Sequence, residues 1–277
     1  MKLSISVIIP TLNRVNLLKR ALRSVLNQTL PPDEIIVIDN GSTDDTKNMI
    51  KDNFQNIKYY YLHDKGVSKA RNLGIKNSNS EWLSFLDSDD EWHRKKLEKQ
   101  INFIKYNSKC KFVHSNEVWL RNGIHLNQLK KHKKKGGNIF KNCLKMCCIS
   151  PSSVILKKNI FYDYGFFDES FKVCEDYEMW LRISAKEEIC FLEDKLLIKH
   201  GGHKDQLSKK FWGMDRFRVY AIEKNLLNNN FSKNQNCLAK FFLLQKLEVI
   251  INGAKKRNNI ETFEKFKKKY EYWKALS

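Results

Sequence analysis

Within the first hundred residues, short β-branched runs alternate with amphipathic stretches, and this alternation confines the chain to few folds. Residues 5–9 form an apolar run that ends at Pro10, and such runs suit a strand covered on both faces. Residues 15–27 then place Val15, Leu18, Leu22, Val25 and Leu26 at helical spacing, with Asn13 positioned as a cap. Pro31 and Pro32 interrupt the chain before a second run at 35–38, and Gly41-Ser42-Thr43-Asp44 signals a turn and a helix start. The pattern predicts further strands over 57–62 and 82–86, and helices over 68–76 and 95–106. Strand and helix in this order argue for an α/β protein: a mostly parallel sheet with helices on both faces. Ligands in such sheets bind beyond the carboxyl ends of the strands. That rule puts residues 10–14, 39–44 and 87–90 on one edge.

Downstream the pattern loosens. A strand is expected over 112–119, a basic loop over 129–137, a helix over 139–146 and a strand over 153–156. A helix opened by acidic residues follows at 175–184, a strand at 196–199, and helices over 211–230, 235–252 and 260–275. This organisation divides into 1–208, with a more regular half (1–106) and a looser half (107–208), and a helical extension at 209–277.

Ample apolar material, 42% of residues with 12% aromatic, excludes a disordered or low-complexity chain. The net charge of +20 is unusual and points to an anionic partner such as nucleic acid, a phosphorylated metabolite or an anionic membrane. Its distribution is uneven. Residues 1–100 hold 16 Lys/Arg against 13 Asp/Glu, 101–200 hold 18 against 11, and 201–277 hold 17 against 7. Lysine-rich composition bias would give a similar surplus. A nucleic-acid-binding protein is a second reading of the charge, but no zinc spacing or RNA-recognition signature accompanies it. No apolar run approaches the roughly 18 residues needed to span a bilayer, and residues 1–12 make a poor signal peptide for want of a cleavage site. Seven cysteines without paired Cys-x-x-Cys spacing suggest reduced thiols in a cytoplasmic protein.

Three acidic clusters carry the chemistry. Phe85-Leu86-Asp87-Ser88-Asp89-Asp90 places three carboxylates after an apolar strand. A hard divalent cation would neutralise them and bridge to phosphates; a helix-capping turn would use the same residues. Asp39-Asn40-Gly41-Ser42 offers a carboxylate to a base or ribose, with Gly41 permitting close backbone approach, or is an ordinary turn. Glu175-Asp176-Tyr177-Glu178 either presents a general base or complements the helix dipole. Arg71 sits where it reaches a diphosphate or forms a surface ion pair, and His200 and His203 bracket two glycines.

The order of these pieces resembles the family 2 glycosyltransferases. The likeness is carried by Ser6-Val7-Ile8-Ile9-Pro10-Thr11-Leu12-Asn13-Arg14, Ile35-Ile36-Val37-Ile38-Asp39-Asn40-Gly41-Ser42, Gly66-Val67-Ser68-Lys69-Ala70-Arg71-Asn72, the Asp87-Ser88-Asp89 motif, and Phe166-Phe167-Asp168-Glu169 followed by Glu175-Asp176. It spans about residues 4–208, and implies that 1–106 is a nucleotide-binding half and 107–208 an acceptor-binding half. The resemblance implies a GT-A fold, a Rossmann-like nucleotide-binding sheet, here with a helical C-terminal extension, and inverting transfer from a nucleoside diphosphate sugar, by default a UDP-sugar. It implies that Pro10, Thr11, Asn13, Arg14, Asp39, Gly41, Ser42, Arg71, Asp87 and Ser88 line the donor site. Asp89, Asp87 and His203 are expected to hold Mn2+ or Mg2+, and Asp176, with Glu175, to supply the catalytic base. His203 opens His-x-x-Gln-x-Ser with Gln206 and Ser208, and His200 is the alternative.

The Gln-x-x-Arg-Trp motif of processive synthases is missing: Gln206 is followed by Leu-Ser-Lys-Lys-Phe-Trp. Addition of a single sugar to a saccharide or lipid-linked saccharide acceptor is therefore expected, in building a bacterial cell-surface glycan such as lipopolysaccharide, O-antigen or capsule. A nucleotidyltransferase is the nearest enzymatic rival, but its Gly-rich phosphate loop is absent. The +17 carried by residues 101–277, including the run at 130–135, is expected to face an anionic membrane, on the inner face of the plasma membrane. No nucleic-acid partner is expected.

Overall fold

Every residue of strand β1 (Ile5–Thr11) is buried, as a strand covered on both faces requires. The structure, a computed structural model, describes residues 3–203 and 211–276. After β1 come helix α1 (Val15–Leu26), β2 (Glu34–Asp39), α2 (Thr46–Asn53), β3 (Lys58–Tyr61), α3 (Val67–Asn77) and β4 (Trp82–Phe85). Strands β3, β2, β1 and β4 lie side by side and all parallel, the arrangement the first hundred residues predict.

Alternate residues of β1 serve opposite layers. Ile5, Val7 and Ile9 pack with Leu18 and Leu22 of α1, Met49 and Ile50 of α2, and Leu97 and Ile101 of α4 (Lys96–Tyr106). Ile8 faces the other way, toward α3, where Gly74 lies against it so closely that a Cβ there would stand 2.4 Å from Ile8 Cγ2. Alternation with period two thus reads directly as two covered faces.

Beyond β4 the sheet becomes mixed. Strand β8 (Ile155–Lys157) runs antiparallel to both β4 and β6 (Phe112–Arg121). Strand β9 (Cys190–Gly201) runs parallel to β6, and the two-residue β5 (Glu91–Trp92) closes the edge antiparallel to β9. A second short strand, β7 (Ile124–His125), hairpins back onto β6. Strand β9 begins six residues before the expected segment: pairing with β6 starts at Cys190 and crosses an irregular register at the charged stretch 193–195, which shows no strand pattern in sequence. Helices α5 (Phe140–Lys145), α6 (Ile160–Tyr164) and α7 (Glu175–Ser184) cover this half.

The β6–β9 pairing also corrects one expectation. It brings Cys110 and Cys190, eighty residues apart in sequence, to a Cα separation of 6.4 Å, and the two form a disulfide. Reduced thiols were expected throughout, since spacing along the chain carries no information about this cross-sheet neighbour. The other five cysteines are free.

Among the described residues, three C-terminal helices follow: α8 (Asp215–Leu227), α9 (Lys233–Lys256) and α10 (Ile260–Ala275). Ser232 and Gln235 form a capping box at the start of α9. Val219, Ile222, Leu243, Leu247 and Trp273 join the same apolar cluster as Ile8, Phe85 and Trp180. Among the described residues, no helix is long and apolar enough to cross a membrane.

Candidate active site

The carboxyl ends of β1, β2 and β4 meet as anticipated. Thr11 pairs with Asp39 across β1 and β2, Asn40 N–H donates to Thr11 C=O, and Leu86 N–H donates to Ile8 C=O. Asp39 is buried, accepting hydrogen bonds from Ser42 N–H (2.8 Å) and the Tyr59 hydroxyl (2.7 Å). Desolvation and that carboxylate together push the Tyr59 phenol up, so it stays a donor. Asn13 does not cap α1 as expected. It adopts φ +50°, and its side-chain oxygen accepts from Thr43 N–H (2.7 Å) and Asp44 N–H (3.3 Å), while its own N–H donates to Ser42 Oγ (2.8 Å). The β1 and β2 loops are stapled together in this way. Thr11 Oγ1, in the same corner, is buried with no hydrogen-bond partner among the described residues, an acceptor and donor left over for something else. Gly41, at φ +88°, makes the turn that brings the chain against Lys65.

The Asp87-Ser88-Asp89 segment lies beside this corner. Asp89 pairs with Arg14 at 2.9 Å. Burial raises its pKa, Arg14 opposes the rise, and Asp87 adds to it. His203 lies close enough for its charge to act on the same carboxyl. Its motif partners Gln206 and Ser208 fall outside the described residues. His200 goes elsewhere: its ring faces Glu91 at 3.5 Å and its backbone N–H donates to Asp90 (3.2 Å). Asp90 is buried and its pKa is driven well up, by burial and then by Asp89. Ser88 is buried, and Pro10 is a strand residue paired with Ile38.

Arg71 is the central cation. Its guanidinium is 3% exposed, donating to Asp87 at 2.7 Å and to Glu175 at 2.5 Å. Burial opposes its charge, but Asp87 and Glu175 outweigh that and hold it protonated. Both terminal nitrogens are committed to carboxylates, so Arg71 links the β4 loop to the first turn of α7. Glu175 is correspondingly buried, and burial raises its pKa against the pull of Arg71. Asp176, next along α7, is half-buried and its carboxylate accepts from its neighbour Tyr177 N–H (2.7 Å) and from the Cys147 thiol (3.2 Å). Cys174 precedes the helix at φ +65°, a left-handed turn that starts α7 abruptly.

Two carboxylates with an imidazole nearby are the oxygen and nitrogen donors that a hard divalent cation takes. Burial raises the carboxyls of Asp89 and Asp90 most, and the neighbouring carboxylates add to the rise, a part that a dication would offset. The residues therefore fit the ion in kind, although no three such ligands already converge among the described residues.

Three comparisons bear on what this site is. Residues 6–165 match the model of the family described as glycosyl transferase family 2. The chain belongs to glycosyl transferase family 2. It is 34% identical over 200 residues to an uncharacterised glycosyltransferase of Rickettsia conorii, covering 69% of this chain but only 32% of that relative. It is 27% identical over 255 residues to the Escherichia coli protein named UDP-Glc:alpha-D-GlcNAc-diphosphoundecaprenol beta-1,3-glucosyltransferase WfgD, covering 91% of this chain and 94% of that one. Staphylococcus aureus TarS residues 1–349, solved in complex with UDP-GlcNAc, superimpose with a TM-score of 0.65 at 20% identity, over 97% of this chain and 92% of that one. The GT-A fold expected of the family is the one present.

Several residues of this family 2 site escape sequence reasoning. Ser152, in a short helical turn before β8, accepts from Asp87 N–H (3.0 Å) and donates to Asp90 (2.7 Å). Glu117 of β6 is buried against Lys134 at 3.1 Å; burial raises its pKa, but Lys134 and Lys199 pull it down to about 2. Lys134 thus departs from the expected outward-facing run at 130–135: it is buried. Burial disfavours charge on Lys199 of β9, yet Glu117, Asp90 and Asp87 outweigh it and keep the ammonium protonated. Ser152, Glu117 and Lys199 come from a short turn and two strands with no local motif, and only the fold assembles them with Lys134.

Proposed function

We propose that this chain transfers one sugar from a UDP-sugar to an acceptor hydroxyl with inversion at the anomeric carbon. The observation that supports it most is the Asp87–Arg71–Glu175 chain of buried ion pairs, which ties the nucleotide edge of the sheet to the helix that carries Asp176. In this reading Pro10, Thr11, Asn13, Asp39, Gly41, Ser42 and Ser88 receive the base and ribose, and Asp176 is the general base. The acceptor oxygen attacks the anomeric carbon as its proton passes to the Asp176 carboxylate. The bond from that carbon to the diphosphate breaks, and UDP departs with the electron pair. Asp87, Asp89 and His203 would hold Mn2+ or Mg2+, which when bound offsets charge on the departing diphosphate. Arg14 and Lys199 add fixed positive charge nearby. We assign Arg71 and Glu175 to holding the two halves in register rather than to touching the donor.

The WfgD likeness suggests an acceptor whose first sugar is linked through diphosphate to a lipid, in the building of a cell-surface glycan. The positive surplus of residues 101–277 would then hold the enzyme against an anionic membrane as a peripheral protein. Asp176→Asn tests the mechanism. With water as acceptor, UDP release from UDP-glucose or UDP-GlcNAc should fall about 10²–10⁴-fold, while calorimetric binding of UDP stays intact. A near-normal rate would remove Asp176 as the base.

A further inference from the structure

Asp176 owes its orientation to a residue outside its own helix. One of its carboxylate oxygens accepts the Tyr177 N–H at 2.7 Å, which any residue at the start of a helix can arrange. The other accepts the Cys147 thiol at 3.2 Å, from the segment after α5. Ile149 C=O offers that thiol a second acceptor at 3.5 Å. The carboxylate is both nearer and charged, so it takes the single S–H proton.

The segment carrying Cys147 is held on either side by α7 itself. Tyr177 Oη donates to Leu144 C=O (2.9 Å), and Trp180 Nε1 donates to Ile149 C=O (3.0 Å). Both rings are buried. The thiol is therefore fixed relative to the helix whose carboxylate it meets. Burial, with Asp176 next, pushes the Cys147 thiol well up, so it remains a donor across working pH. Among the described residues, the titratable groups acting on this pair include Glu175, Cys174 and Tyr177 at the start of α7, Cys143 and Cys148 beside Cys147, Lys199 on β9, and Arg218 on α8.

We propose that Cys147 is a positioning residue: its thiol holds the Asp176 carboxylate in one rotamer, so that the base is aimed before the acceptor arrives. This rests on the reading of Asp176 as the base, and it assigns a role to a cysteine that no motif marks. A second-sphere donor of this kind acts on the chemical step and leaves donor binding alone.

The test compares Cys147→Ala, Cys147→Ser and Asp176→Asn by UDP release from the better of UDP-glucose and UDP-GlcNAc, with thermal unfolding measured alongside. Cys147→Ala should lower kcat about two- to tenfold, the equivalent of one hydrogen bond. KM for the UDP-sugar should not change. Cys147→Ser keeps a donor and should regain part of that kcat. If Asp176→Asn is inactive but Cys147→Ala keeps the parental kcat, the positioning role is wrong and the base reading survives. If Cys147→Ser and Cys147→Ala are equally slow, with equally lowered unfolding temperatures, the cysteine only packs. If Asp176→Asn stays active, both readings fall.

Discussion

Arg71→Met strikes the connection on which the whole site depends. The guanidinium is 3% exposed and its two contacts, 2.5 Å to Glu175 and 2.7 Å to Asp87, are charge-assisted hydrogen bonds. Methionine fills similar volume and supplies no donor. Glu175, 8% exposed on its side chain, is then left as a buried carboxylate beside Asp176. Removing one partner of a buried ion pair costs about 3–5 kcal/mol. Asp87 is 31% exposed and recovers water, so the lower end, about 3 kcal/mol, is expected. That is a large share of the roughly 5–15 kcal/mol that holds a domain folded. The loss should also depend on pH. Glu175 already has a raised pKa from burial, and without Arg71 it rises further. A carboxyl whose folded pKa lies above its unfolded one contributes stability at low pH that is lost as pH climbs through the folded value. The variant should therefore be hurt more at pH 8 than at pH 5. Urea unfolding at both pH values reads this directly, and Arg71→Met/Glu175→Gln should regain more than half of the loss. A destabilisation below about 1 kcal/mol, the range of an exposed pair, would refute the reasoning. So would a double variant no more stable than the single one.

Other perturbations are expected to act more narrowly. Glu117→Gln should flatten acid stability: the Glu117 carboxyl is held at about 2, so its contribution is complete above the ordinary glutamate range and drains away between about pH 4.5 and 2. Unfolding midpoints for the two proteins should converge at the acid end, and parallel curves would contradict the assignment. Thr11→Val removes a hydroxyl that has no partner among the described residues, so thermal stability should hold or rise while calorimetric affinity for UDP weakens; unchanged affinity would take Thr11 out of the donor site. The protein should sediment with phosphatidylglycerol vesicles at low salt and release as salt rises. Indifference to anionic vesicles would leave the lysine surplus as composition.

Some of this was legible in the chain as written. The parallel core strands, the helices between them and the gathering of residues 10–14, 39–44 and 87–90 on one edge all follow from local periodicity and one rule about strand ends. The α7 range, Glu175–Ser184, follows from its acidic start and apolar spacing. Two-residue β5, short β7 and the first part of β9 have no such pattern, because their pairing comes from neighbours rather than from propensity. Asn13 shows the limit at one residue: a capping side chain by type, it bonds instead to a loop thirty positions away.

The sequence by itself determined the sheet order's parallel core, the family and the roster of acidic motifs, since each rests on spacing within a few residues. Tertiary structure alone decided what those residues face. It paired Arg71 with Asp87 and Glu175, joined Cys110 to Cys190, buried Lys134 inside a run of exposed-looking lysines, and set the Cys147 thiol on Asp176. In each case the deciding partner lies far along the chain. Charge and hydrogen bonding act through space over a few ångströms, and spacing along a sequence does not encode that distance.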